Sequence, residues 1–296
     1  MSSICCRYVI TRNSFLHCRR QDFVVTSFFV PYLASKQIRF NSNSVIPVKL
    51  AYVSYESMGG NKNASKQPII IMHGLFGSKT NWNSLSKTIH RDTNRKVITI
   101  DARNHGDSPH SSDMTYSHMA QDIVQLMNDL GFEKSILIGH SMGGSAMIPQ
   151  LMNMEKIFKA MRTVNLEGIT TLTKARTSVK DQLANAIKSL PLRQFLAMNL
   201  VEADNGKFKW RVNLPVLEQN FAQIAVFPDV GSRVYNGSTL FMGGSKSDYI
   251  KVEDHDKIKQ LFPSAGFIYI NDADHWVHAD KPTEFLKTTI DFINQP

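Results

Sequence analysis

Cysteine is nearly missing from this chain: its 296 residues hold three, Cys5, Cys6 and Cys18, all within the first twenty positions. The remainder carries no thiol, which excludes a disulfide framework, a cysteine nucleophile and a cysteine-ligated zinc site from the folded body. Long apolar runs are scarce as well. Residues 23–34 (FVVTSFFVPYLA) are apolar for only twelve positions, against the roughly 20 that a membrane-spanning helix needs. Acidic residues are almost absent from one region: positions 1–44 carry six basic side chains and a single acid, Asp22. The rest of the chain has 28 basic and 24 acidic residues, so +5 of the net +9 belongs to the first 44 positions. The pI of 9.4 is therefore a poor argument for nucleic-acid binding, and no nucleic-acid motif accompanies it.

An arginine-rich, serine-containing, acid-poor start has the composition of a mitochondrial transit peptide. Residues 1–44 are read as that leader, with RFNS at 39–42 as its processing region, and 45–296 as one domain destined for the matrix, where a protein partner is possible. A secretory signal fits less well, because a long segment precedes the apolar run, Pro31 interrupts it and the body lacks cysteine.

From residue 47 the chain alternates between strand and helix patterns. Residues 48–53 alternate apolar and polar as a half-buried strand does. Residues 68–72 (PIIIM) are continuously apolar, as in a central strand covered on both faces, and 96–100 (KVITI) form another. Trp82, Leu85 and Ile89 share one helical face, as do Met119, Ile123, Leu126, Met127 and Leu130. Strands separated by helices of this length predict βαβ units in a mostly parallel sheet, an α/β fold with its chemistry at the carboxyl ends of the strands. Residues 162–166 (RTVNL) read as the sixth strand. Alternation then lapses over about 170–230, a mainly helical insertion placed as a lid, and returns at 238–242 and 267–270 before a closing helix at 283–294.

At residues 139–144, Gly-His-Ser-Met-Gly-Gly follows the apolar run 135–138 and opens a helical stretch. A strand turning sharply into a helix holds Ser141 exposed in a strained conformation, with glycines two positions away on either side making room. A serine hydroxyl needs a base, and the loop after the last strand offers His275 and His278. His275, nearer the strand, is the general base, and His278 is a structural histidine. The oxyanion hole falls to the backbone amides of Met142, which follows the nucleophile, and of Leu75, in the loop that begins at His73. This chemistry calls for no metal or organic cofactor.

The segments HGLFGSKTNWNSL (73–85), DARNHGDSPHS (101–111), GHSMGG (139–144), WRVNL (210–214) and ADHWVHAD (273–280) make the chain similar to the α/β-hydrolase domain-containing protein 11 family. That resemblance spans about 47–294. It implies an α/β-hydrolase fold with an eight-stranded, mostly parallel sheet flanked by helices and an inserted helical lid. It also implies serine-hydrolase chemistry on carboxylic esters or acylglycerols, with Ser141 and His275 at the family's nucleophile and base positions.

The family's acid does not carry over so directly. Relatives place an aspartate in a Val-Asp pattern at the end of the sixth strand, where this chain has Val164-Asn165. Asn165 is kept as the orienting residue by position. Asp248, in the loop after the seventh strand, is taken as the carboxylate, with Glu167 as a third candidate. An asparagine orients a histidine without stabilising its charged form, and in a serine protease the aspartate-to-asparagine change costs about 10⁴ in kcat. Two rivals to ester hydrolysis follow: an acyltransferase passing the acyl group to an alcohol, and a weakly active or inactive hydrolase fold serving as a matrix binding protein.

Overall fold

The computed structural model describes residues 22–26, 45–57, 66–144, 151–225 and 234–295. Its main sheet is built from β1 (Asp22–Thr26), β2 (Tyr52–Tyr55), β3 (Ile69–Met72), β4 (Val97–Ile100), β5 (Ile136–His140), β8 (Ser238–Gly244) and β9 (Ala265–Ile270), in the order β2-β4-β3-β5-β1-β8-β9. All neighbours are parallel except β2 and β4. β3, β4 and β5 are buried throughout, as their unbroken apolar runs require. Ile69 and Ile71 point to one face, where they join Trp82, Leu85 and Ile89 around α1 (Asn83–Thr93) and Phe285 and Ile293 of α9 (Pro282–Ile293). Ile70 and Met72 point to the other and join Met119, Ile123 and Leu126 of α2 (Tyr116–Asp129) and Phe158 of α3 (Leu151–Arg162). The two-residue side-chain period of the strand thus divides one apolar run between two cores.

The expected sixth strand does not form. Residue 162 ends α3, and 163–171 run through turns into the insertion. A central strand must bury both faces, whereas RTVNL has only two apolar side chains; Thr163, Asn165 and Glu167 are exposed, and Thr163 Oγ1 donates to the carbonyl of Lys159. The slot between β5 and β8 is occupied by β1, from the stretch read as leader. Val24, Val25 and Thr26 pair with Ile138, Gly139 and His140 on one side and with Leu240, Phe241 and Met242 on the other. The sheet has seven strands rather than eight among the described residues, and β2 begins at Tyr52, later than the alternation from residue 48 suggests.

The insertion contains α4 (Leu172–Gln182), α5 (Leu190–Ala197), a hairpin of β6 (Leu200–Glu202) and β7 (Phe208–Trp210), and α6 (Leu214–Ile224). It is not wholly helical: residues 203–207 are the tip of the hairpin, closed by the Ala203 amide donating to the Lys207 carbonyl. After β8 come α7 (His255–Leu261), β9, and the short α8 (Val277–Asp280) before α9.

Candidate active site

Backbone strain marks the site. Among the described residues five non-glycines have positive φ, and four of them follow sheet strands: Phe76 after β3, Asn104 after β4, Ser141 after β5 and Asp272 after β9. Only crowding from the surrounding structure holds L-residues there. Ser141, at φ 54°, is the turn between β5 and a 3-10 turn covering Ser141–Gly144. Met72 pairs with Gly139, so the loop leaving β3 runs beside the elbow. The approach leaves no room for side chains at two glycines. A Cβ on Gly74 would lie 2.8 Å from His140 Nδ1 and 3.0 Å from Ser141 Cβ, and one on Gly143 would lie 2.9 Å from the Met72 carbonyl oxygen.

The loop after β4 fixes the loop after β3. His73 Nδ1 donates to the Gly74 carbonyl while its Nε2 accepts from the Ala102 amide. His105 Nδ1 donates to the Arg103 carbonyl and its Nε2 accepts from the Phe76 amide. Asn199, from the insertion, donates to the Phe76 carbonyl. Lys79 is held between Asp101 and Asp107. Burial depresses His73 and takes His105 down to about 3, so both stay neutral and keep one donor and one acceptor each. The Phe76 amide is spent on His105 and the Gly77 amide on the Gly74 carbonyl, whereas the Leu75 amide has no partner among the described residues. Met142 is the second residue of the 3-10 turn, where early amides lack an acceptor within their own helix. These are the two amides expected to form an oxyanion hole.

Ser141 and His275 line one cavity of about 730 Å³, together with Leu75, His140, Tyr249 and, from the insertion, Phe195. Ser141 Oγ and His275 Nε2 have no hydrogen-bond partner among the described residues, and neither is sealed from the cavity. The imidazole is held by packing. Tyr249 stacks on it with ring centroids 3.6 Å apart and an interplanar angle of 19°, and the His275 carbonyl accepts from His140 Nε2 at 3.2 Å. The His275 amide donates to Asp274 Oδ1. Burial, with a smaller contribution from His140, pushes His275 well below the ordinary histidine value, and burial takes His140 to about 4.

His275 Nδ1 is buried and has no hydrogen-bond partner among the described residues. Neither expected acid reaches it. Asp248 is 89% exposed at its side chain and faces Lys251 at 3.6 Å, and Asn165 is exposed, its Oδ1 accepting from the Glu167 amide and its backbone paired with Gln182. Glu167 is exposed too. The spacing that nominated Asn165 assumed a sixth strand ending beside the histidine, and that strand is not formed there. His278 lies under the site, stacked on Trp82 at 4.4 Å and edge-on to His140 at 4.4 Å, in keeping with a packing role. Sequence reasoning missed His140 and Tyr249. His140 was visible as the residue before Ser141, but nothing in its position announced its bond to the His275 carbonyl. Among the described residues no cluster of three or more metal-ligating side chains occurs.

Comparison with known proteins agrees with this geometry. A family model described as "Alpha/beta hydrolase family" matches residues 69–288. The chain is 39% identical to a Danio rerio protein named sn-1-specific diacylglycerol lipase ABHD11, covering 83% of each. It is also 39% identical to the Mus musculus protein of that name, covering 81% of this chain and 85% of that one. A solved marine microorganism esterase superposes with a TM-score of 0.72 at 29% identity, over 83% of this chain and 99% of the esterase. The chain belongs to the α/β-hydrolase domain-containing protein 11 family of the alpha/beta hydrolases.

Proposed function

We propose that this protein hydrolyses carboxylic esters of the acylglycerol class through an acyl-enzyme on Ser141. The observation that carries the reading is Ser141 itself: a non-glycine residue at φ 54°, at the carboxyl end of a buried strand, opening with His275 onto one largely apolar cavity. Ser141 Oγ attacks the ester carbonyl while His275 Nε2 takes its proton, and the amides of Leu75 and Met142 hold the oxygen that gains charge. The alcohol leaves with the proton from His275, and water then releases the acid by the same steps. Diacylglycerol lipase in the names of the vertebrate relatives supports an acylglycerol substrate, and the apolar side chains contributed by α5 and α6 suit an acyl chain.

The unpaired His275 Nδ1 makes this a serine-histidine pair oriented by Tyr249 and His140. Loss of the acid's charge costs about 10⁴ in kcat where it has been isolated, and the oxyanion hole retains a residual 10³–10⁴-fold advantage over water. That same nitrogen favours a second reading, a hydrolase fold that binds esters with little turnover. Fluorophosphonate labelling and diacylglycerol hydrolysis by the full chain, beside Ser141→Ala and His275→Ala, separate the two. Labelling and turnover that vanish in both variants support the hydrolase. A folded parent that neither labels nor turns over leaves the binding role.

The arginine-rich, acid-poor first 44 residues support import into mitochondria. Cleavage at 39–42 would take β1 out of the sheet, so N-terminal sequencing of the imported chain decides between that site and one before Asp22.

A further inference from the structure

The outer face of α5 is the wrong way round for a helix in water. Its solvent-exposed positions are Leu190, Pro191 and Gln194, followed by the helically continued C-cap Met198. At 3.6 residues per turn they fall within an arc of about 100°. A surface helix normally turns charged and polar side chains outward, yet this arc holds no charge, and Leu190 and Met198 are 45% and 57% exposed. The same helix walls the catalytic cavity through Leu192 and Phe195. The apolar arc therefore lies at the cavity's rim.

The charge around it is one-sided. Residues 170–230 carry eight basic and five acidic side chains, whereas the rest of 45–296 carries twenty basic and nineteen acidic, so +3 of the body's net +4 sits on the insertion. Lys188 is exposed two positions before Leu190. Arg176 donates to the Met198 and Leu200 carbonyls, which puts a guanidinium beside the far end of the arc. Exposed Lys207 and Lys209 follow on the hairpin.

We propose that the insertion docks on an anionic lipid surface, with Leu190 and Met198 entering the headgroup region and the surrounding lysines and arginines facing lipid charge. Two features select this occupant over a protein groove: apolar side chains concentrated at the entrance of an acyl-ester pocket, and a net positive charge concentrated on the insertion that carries them. The inference rests on the acyl-ester reading for the choice of a lipid occupant and for the purpose of docking, which is delivery of lipid directly to Ser141; the apolar arc and the charge around it are defined without it.

Co-sedimentation of the full chain with phosphatidylcholine vesicles, with and without about 30% phosphatidylglycerol, tests it. Binding to the anionic vesicles that weakens with added salt is expected. Leu190→Ser with Met198→Ser lowers partitioning about tenfold or more, and Lys188→Glu lowers it on anionic vesicles alone. Turnover of a soluble short-chain ester stays at the parent's level in all these variants, which shows that they are folded. Equal partitioning of parent and variants, or no binding by the parent, overturns the proposal. So does a dimer in gel filtration that the double variant dissolves, since the face would then belong to a second copy. Vesicle binding that persists while no ester is turned over would instead retire the hydrolase reading and leave the surface standing.

Discussion

Replacing Gly74 by alanine tests the oxyanion loop with a single methyl group. The new Cβ would stand 2.8 Å from His140 Nδ1, 3.0 Å from Ser141 Cβ and 3.2 Å from the His140 carbonyl oxygen. Comfortable separations are about 3.5–4.0 Å, so loop and elbow must part by roughly 0.5–1 Å. None of the three obstacles is the loose end of a flexible chain. His140 is buried with its Nε2 bonded to the His275 carbonyl, and Ser141 sits on a turn already strained. The movement therefore separates the Leu75 amide from the atom Ser141 attacks. Oxyanion donors work at 2.7–3.1 Å, and losing one costs about 10²–10³ in kcat. The expected result for a short-chain ester is a fall of about 10² in kcat with KM little changed, because the acyl cavity is untouched. Crowding should also remove about 1–3 kcal/mol of stability. Gly266→Ala is the control, its Cβ meeting Leu240 Cδ1 at an ordinary 3.7 Å. A Gly74→Ala protein with a lowered melting temperature and kcat within about threefold of the parent would refute the oxyanion assignment, since the predicted loss is some thirty times larger.

Arg103 and Asp122 form a two-bond ion pair with side chains 0% and 1% exposed, so Asp122→Asn or Arg103→Met alone should cost about 3–5 kcal/mol in chemical denaturation, and Arg103→Met with Asp122→Leu less than their sum. Acid should destabilise the fold well above the carboxylate range. His140 at about 4 and His105 at about 3 are held neutral by burial; the unfolded chain takes up protons below about 6.5 that the folded chain refuses, so stability is present above that pH and is lost as pH falls toward 4 and 3. For His140 alone the loss is about 3 kcal/mol, and a melting temperature flat from pH 7 to 4 would contradict it. The same burial at His275 should set the acid limb of kcat/KM below 6.5, the base remaining neutral at lower pH than an ordinary histidine; a limb at or above 6.5 argues that another group is titrating. Deleting residues 1–44 removes a strand paired on both sides, and hydrogen exchange should show β5 and β8 losing protection, whereas unchanged protection would mean that the slot closes without β1.

Those parts of the protein that answer to local rules were legible in the sequence. β3, β4 and β5 were visible because a strand covered on both faces must be apolar without interruption, and the elbow because strand, glycine spacing and helix together force a strained serine. The acid and its strand were not legible, and the reasons are physical. RTVNL has the length and position of a sixth strand but too little apolar surface to be covered on both faces, while the five residues that pair in that slot lie more than a hundred positions upstream, in a segment whose arginines and missing acids gave it the composition of a leader. With the strand displaced, Asn165 ends against Gln182, and Asp248, only one residue from the ring that stacks on His275, turns to solvent. What holds His275 instead is a bond from His140 across 135 residues and an aromatic face from Tyr249, 26 residues away. No periodicity or spacing rule encodes such pairings, because they depend on which loops the sheet order brings to one edge. That His275 Nδ1 has no partner among the described residues follows from the same displacement: the candidate acids were placed by the ends of expected strands, and the strand that ends beside His140 in this chain is Asp22–Thr26, from far upstream.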